Sequence, residues 1–203
     1  MSLAAGLRNH KVVIGAVALW IPIVSFGFAK LLSYSTTPGR RAEPPLEWPA
    51  GSRIAVNSGE FSLLMFVHPR CGCTRASLGE LDIIMAHSEG RAKATIIFYE
   101  PHEEPVEWTK SDLWRTAAAI HGVDVVEDRN GKIAQSFGVY TSGQTLLYNP
   151  AGGLLFKGGI TAQRGHSGDN AGRSVVTALL QGAVGPDRLP ATTPVFGCSL
   201  RGE

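Results

Sequence analysis

Three cysteines, Cys71, Cys73 and Cys198, are the residues of this chain best suited to chemistry. Cys71 and Cys73 bracket a single glycine in His68-Pro69-Arg70-Cys71-Gly72-Cys73, and Cys198 stands five residues from the end. A thiolate is the nucleophile in disulfide exchange, and its pKa falls near cations and helix N-termini. Arg70 adjoins Cys71, Arg75 is close to Cys73, and His68 is near enough in sequence to approach either sulfur, so a reactive thiolate is expected here. Gly72 eases the dihedrals that a Cys71–Cys73 disulfide needs. The strain of so small a ring predicts a bond more reducible than a relaxed structural one, suited to donating or shuffling disulfides. A second chemistry uses the same atoms: Cys71, Cys73, Cys198 and His68 form a soft donor set for copper or zinc. If the tail folds back, with the apolar pair Val195-Phe196 helping to dock it, Cys198 would resolve a mixed disulfide or complete a metal site. The inert alternative is a structural link between Cys71 and Cys73, with Cys198 an idle tail thiol or a partner in an intermolecular bridge.

The elements around the pair place it. Phe61–Val67 is a continuous apolar run of strand length, suited to burial on both faces. Thr74–His87 carries Leu78, Leu81, Ile84 and Met85 at helical spacing, with Thr74 or Ser77 near its start. Ala94–Tyr99 reads as a second buried strand, and Asp112–His121 as a helix capped by Ser111. Val123–Val126 is a short strand, Asn130-Gly131 a turn, and Lys132–Phe137 a helix. Thr145–Tyr148 and Leu154–Lys157 flank Asn-Pro-Ala-Gly-Gly as an antiparallel hairpin, and Ala171–Leu180 closes with a helix. A weaker strand is expected at Arg53–Val56. This alternation predicts an α/β domain with a central mixed sheet flanked by helices, its cysteine pair between a central strand and a helix N-terminus.

The chain has 203 residues, Lys+Arg 19 against Asp+Glu 17, and 44% hydrophobic residues. A formal net charge of +2 argues against nucleic acid as partner. Three cysteines cannot make a disulfide scaffold. The apolar excess is concentrated in Val12–Ala29, an uncharged run with Arg8, His10 and Lys11 before it and Lys30 after it. Extended through Leu32, it spans about 20 residues, enough to cross a bilayer. An uncleaved signal-anchor, a cleavable signal peptide with a site near Gly27-Phe28-Ala29, and a buried core helix are the three readings. With a short N-terminal segment inside, the anchor would hold the domain outside the inner membrane, facing the periplasm or cell exterior. The expected organisation is a segment over 1–11, a membrane helix over 12–32, a Pro-rich tether over 33–52, the domain over 53–182 and a tail over 183–203.

The cysteine position and the element order are those of the thioredoxin fold, and SFGVYTSGQTLLYNPAGGLLFKGGI resembles its later strand–turn–strand pattern. Residues 53–182 carry this resemblance. Anchor, tether and domain together resemble the TlpA-type membrane-anchored thioredoxin-like proteins. The pattern FxHPxCxCTxAS, with GGIT…RGHxGDN and a terminal FGC, is closest to the RedB-type group of them. The resemblance implies thiol-disulfide exchange with protein thiols or disulfides, a redox partner, and no resident cofactor. Three departures stand out. The pair is Cys-x-Cys; Gly143 occupies the place of the family's cis-proline; and no acid lies within Phe61–Val67. Without that proline a pure binding module of the same fold is a further alternative. The peroxiredoxin pattern fails, because Pro69 is followed by cysteine two residues later.

The loop from Gly158 through Arg164-Gly165-His166-Ser167-Gly168-Asp169-Asn170 should lie on the cysteine side in this fold, where Arg164 and His166 would bind substrate or hold a thiolate. The plainer reading makes it a turn with Asp169 or Asn170 as helix N-cap. His102 belongs to an acidic loop, His87 and His121 to helix ends, and Trp108 and Trp114 to packing.

Overall fold

A computed structural model describes residues 3–182 and 189–201, so the start of the expected tail at 183–188 and its last two residues lie outside the described residues. The chain divides into two units, Met1–Thr37 and Pro38–Glu203.

The first unit is the helix α1, Leu3–Thr36, with Pro22 inside it. Its stretch His10–Thr36 is long and apolar enough to cross a membrane, and none of that stretch's most apolar window is buried. A core helix would be covered, so that reading falls, while anchor and signal segment both fit. The helix also outruns the expected 12–32 at both ends, because Lys30 through Thr36 contains no helix breaker before Pro38.

The second unit is built on a six-stranded sheet of order β3-β2-β1-β4-β5-β6. Its strands are β1 Phe61–Val67, β2 Ala92–Glu100, β3 Val123–Arg129, β4 Gln144–Tyr148, β5 Leu154–Gly158 and β6 Ala191–Thr192. β1, β2 and β3 run parallel, β4 and β5 form the expected antiparallel hairpin, and the two-residue β6 lies parallel to β5. The apolar run of β1 is explained by its central place: all its residues but Phe61 are buried. Helices α2 (Gly72–His87), α3 (Asp112–Ala118) and α5 (Ala171–Leu180) cover one face, where Leu78, Leu81, Ile84, Leu113, Val176 and Leu179 meet the sheet. The short α4, Lys132–Ser136, covers the other face with Ile133 and Ala134.

Three expectations change. Residues 38–52 are not a free tether. They form a strap on the α4 face, where Trp48 packs edge-on against Phe137 and Tyr148 at 5.3 and 5.0 Å. Glu43 N–H donates to Gly138 O, Trp48 N–H to Gly152 O, and Tyr148 Oη–H to Pro45 O. Such backbone pairing has no hydrophobic period and reads as linker composition. Arg53–Val56 is not a strand. Ser111 holds the expected N-cap position of α3 but makes no capping hydrogen bond, and its Oγ is buried without a partner, as is Thr109 Oγ1.

Asn170 is the N-cap of α5, accepting Arg173 N–H at 2.8 Å, and it belongs to a buried cluster around Glu80. Glu80, 1% exposed on α2, accepts from Gly168 N–H at 2.7 Å, Asn170 Nδ2 at 3.1 Å and Arg173 Nη1 at 2.5 Å. This cluster pins the 161–170 loop to α2. Removing one member of a buried ion pair strands the other, a loss of about 3–5 kcal/mol. Glu80→Ala is therefore expected to lower the thermal unfolding midpoint of the detergent-solubilised chain markedly; an unchanged midpoint would refute the pinning role.

Candidate active site

β1 ends at Val67, and the chain turns through His68-Pro69-Arg70 into α2. Cys71 itself is the N-cap of α2, with φ −85° and ψ 116°, so the helix begins at Gly72 rather than at Thr74 or Ser77. Cys71 N–H donates to His68 O at 3.1 Å, and Thr74 N–H to Cys71 O at 3.0 Å. The Cys71 sulfur therefore stands where the unpaired amides of the first helical turn favour negative charge. It is only 2% exposed, whereas Cys73 and Cys198 are half-buried.

The C-terminal tail provides the cover. After β6, Thr193 N–H donates to Lys157 O and Gly159 N–H to Pro194 O, each at 3.2 Å, while Gly39 of the strap donates to Val195 O at 2.9 Å. The tail then runs antiparallel to residues 140–142: Ser142 N–H donates to Cys198 O and Leu200 N–H to Tyr140 O, both at 2.9 Å, and Thr141 bridges Ser199. Arg164 Nη1 donates to Gly197 O at 2.6 Å. Gly197 lies so close to Ser142 that a Cβ would come within 1.8 Å of the Ser142 carbonyl oxygen. This ladder sets Cys198 Sγ 3.0 Å from Cys71 Sγ.

The three thiols do not titrate alike. Burial opposes a Cys71 thiolate, but hydrogen bonds from the Cys198 thiol, the Cys198 and Cys73 amides and the Ser142 hydroxyl outweigh it and hold its pKa below the ordinary thiol value. Burial pushes Cys198 up to about 12, and its hydrogen bond to Cys71 and the negative charge there add to the effect. Burial and the charge on Cys71 also raise Cys73, against the opposing pull of Arg164. Of the two sulfurs in contact, Cys71 is thus the one that ionises more readily.

The expected cations are engaged elsewhere. The Arg70 guanidinium lies over the Trp108 ring, 4.8 Å from its centroid, and Arg75 pairs with Asp112. His68 stacks on Tyr99 at 6.0 Å and meets Trp108 edge-on at 5.5 Å, and its Nδ1 accepts from Arg70 N–H, so its ring serves the aromatic cluster rather than a sulfur. Burial, then Arg70, lowers its pKa. Arg164 is the cation whose charge acts on Cys73 and Cys198, while His166 is exposed and makes no hydrogen bond to them. Gly143 adopts φ +87° and donates to Phe66 O at 2.7 Å; no cis peptide occurs among the described residues.

Ser142 was not singled out from sequence, although its place beside Gly143 marks it. Its Oγ accepts from His68 N–H at 2.9 Å and lies 3.2 Å from Thr74 Oγ1, joining the turn after β1 to the segment under the tail. The copper or zinc alternative is not supported. Two thiolates on one tetrahedral zinc stand roughly 3.7 Å apart, given Zn–S bonds of about 2.3 Å, whereas Cys71 and Cys198 are at 3.0 Å. Among the described residues no group of three or more Cys, His, Asp or Glu is arranged to hold a metal ion.

Three parallel strands, an antiparallel hairpin beside the central one, and a cysteine capping the helix that leaves it make the fold thioredoxin-like. No family model matches the chain, and no curated protein matches it. Solved structures do. An uncharacterized conserved protein from Geobacillus kaustophilus superposes with a TM-score of 0.55 at 15% identity, over 83% of this chain and 93% of that one. A hypothetical protein from Sinorhizobium meliloti gives 0.54 at 22% identity, over 82% and 94%. The exposed lipoprotein thioredoxin of Streptococcus pneumoniae gives 0.46 at 17% identity, over 62% and 86%.

The proton arrangement predicts a pH profile. A thiolate at Cys71 forms as pH rises through its depressed pKa and persists above it. The ultraviolet thiolate absorbance that is lost in Cys71→Ser should therefore rise at a pH below that of an ordinary cysteine. In Cys198→Ala, which removes the donated hydrogen bond, the midpoint should move upward; a midpoint that stays put would show that Cys198 does not set it.

Proposed function

We propose that the chain is a thiol-disulfide oxidoreductase, held at the inner membrane by α1 with its thioredoxin-like domain on the exported side. The observation that carries this reading is the Cys71 thiol at the N-cap of α2 with a second thiol 3.0 Å away. Cys71 is the nucleophile. Its thiolate attacks one sulfur of a protein disulfide, forming a mixed disulfide and expelling the other sulfur as a thiolate that takes a proton from water. Cys198 then loses its proton and attacks the Cys71 sulfur. A Cys71–Cys198 disulfide closes, and the second substrate thiolate leaves. Run backwards, the same steps hand a disulfide to a protein dithiol and return the pair to two thiols. A separate redox partner with a dithiol or disulfide of its own resets the pair.

This reading replaces the Cys71–Cys73 ring with a bond to the tail, because Cys198 Sγ lies 3.0 Å from Cys71 Sγ. Cys73 remains within the cluster, hydrogen-bonded to Cys71, as the alternative partner. The depressed pKa of Cys71 supports the disulfide-donating direction, since a stabilised thiolate favours the reduced form of the pair.

Insulin reduction and refolding of a scrambled, disulfide-bonded protein test the assignment. Cys71→Ser should lose activity by about 100-fold or more, as loss of a covalent nucleophile does. Cys198→Ser should stall as a reductant-sensitive conjugate with substrate, and Cys73→Ser should turn over close to the wild type. Full activity in Cys71→Ser ends the proposal. Stalling in Cys73→Ser with normal turnover in Cys198→Ser transfers the resolving role to Cys73.

A further inference from the structure

Cys71 is 2% exposed although the proposed reaction requires it to meet the sulfur of another protein. What covers it is the tail. Cys198 reaches Cys71 through backbone pairing with residues 140–142, and not through any fold of its own. Phe196, 9% exposed, and Val195, 4% exposed, are buried just before the cysteine, and Gly197 passes where no side chain fits. Gly159 gives the same segment a close floor: a Cβ there would come within 2.7 Å of Pro194 O and 3.0 Å of Val195 Cα.

We infer that residues 194–200 are a built-in occupant of the substrate site, a displaceable segment that competes with the extended, cysteine-bearing segment of a partner protein for the backbone of residues 140–142. The inference rests on the proposed reading in taking Cys71 as the reacting thiol. When the tail leaves, Ser142 N–H and Tyr140 O lose their partners. Unpaired groups of this kind at an edge accept an added strand, and main-chain bonds then give affinity while side-chain pockets give selectivity. The tail is the template for what fits: an extended stretch with an apolar residue, then glycine or another residue small enough to pass Ser142, then cysteine. A partner segment of that form sets its sulfur where Cys198 Sγ stands. The tail thus closes the thiolate to solvent and small oxidants and yields to a chain that can rebuild the ladder. Exchange at a covered thiol proceeds from the open population, so the closed fraction sets the rate.

The test uses the full detergent-solubilised chain and alkylation of Cys71, read by peptide mapping. Gly197→Val, whose side chain meets the Ser142 carbonyl, should lift the tail without touching a thiol and speed Cys71 alkylation by about tenfold or more. Phe196→Ser should act in the same direction. A synthetic peptide of residues 193–200 carrying Cys198→Ser should bind Gly197→Val more tightly than the wild type by fluorescence anisotropy, and should slow alkylation again. In the wild type, Cys71 should alkylate at least about tenfold more slowly than in the urea-unfolded chain. The inference is overturned if wild-type Cys71 reacts as fast as in the unfolded chain, if neither variant speeds it by more than about twofold, or if the peptide gives no protection. None of these readouts involves electron transfer. Loss of exchange activity with peptide protection intact would remove the oxidoreductase reading alone; intact exchange without protection would remove the docking face alone.

Discussion

The contact between Cys71 and Cys198 is held by main chain, and the rest of the site follows from it. Neither sulfur brings the other in. The ladder between 140–142 and 198–200, the strap's bond from Gly39 to Val195 and the Arg164 bond to Gly197 fix the tail. The sulfur separation is what remains once those bonds are made. A weak S–H···S interaction could not order a chain end by itself, since each ordered residue costs about 1–2 kcal/mol of backbone entropy. Buried Val195, Phe196 and Leu200 supply apolar contacts that help offset that cost.

Electrostatics then decide which of the three thiols gives up its proton first. The N-cap position, two backbone amides and the Ser142 hydroxyl make Cys71 the site of negative charge, and that charge raises both of its neighbours. The device is local to α2 and the tail. It needs neither a buried acid in β1 nor the arginines beside the cysteines in sequence, which Trp108 and Asp112 hold elsewhere. Glu80 contributes at a distance, because the loop it pins is the one that carries Arg164.

The parts of this arrangement that were legible in the sequence are those with a period or a punctuation mark. β1, β2, the β4–β5 hairpin, α2 and α5 announce themselves through buried apolar runs, helical spacing, Asn149-Pro150 and the Asn170 cap. The placement of Cys71 and Cys73 at the mouth of the sheet follows from them. The strap was not legible as a packed element, and for the tail only the apolar pair Val195-Phe196 pointed to docking. Both are rich in proline and glycine, and both are held by backbone bonds that any side chains outside the tightest contacts would permit. The fate of Arg70 and Arg75 was hidden for another reason: nearness in sequence does not say which aromatic ring or carboxylate lies closer in space. Gly197 is the instructive case. Read in a row it is one glycine among 24, and only the carbonyl of Ser142 above it shows why it must be one.

The count of thiols has a last consequence. Disulfide chemistry moves electrons in pairs, and Cys71 is the member of the trio that touches both of the others. Any bond drawn inside the cluster leaves one sulfhydryl beside it, poised for internal exchange. On the proposed reading, a disulfide between Cys71 and Cys198 would tie the tail down, and one between Cys71 and Cys73 would leave it untied. On that reading parity would make the oxidised protein a latch as well as a reagent.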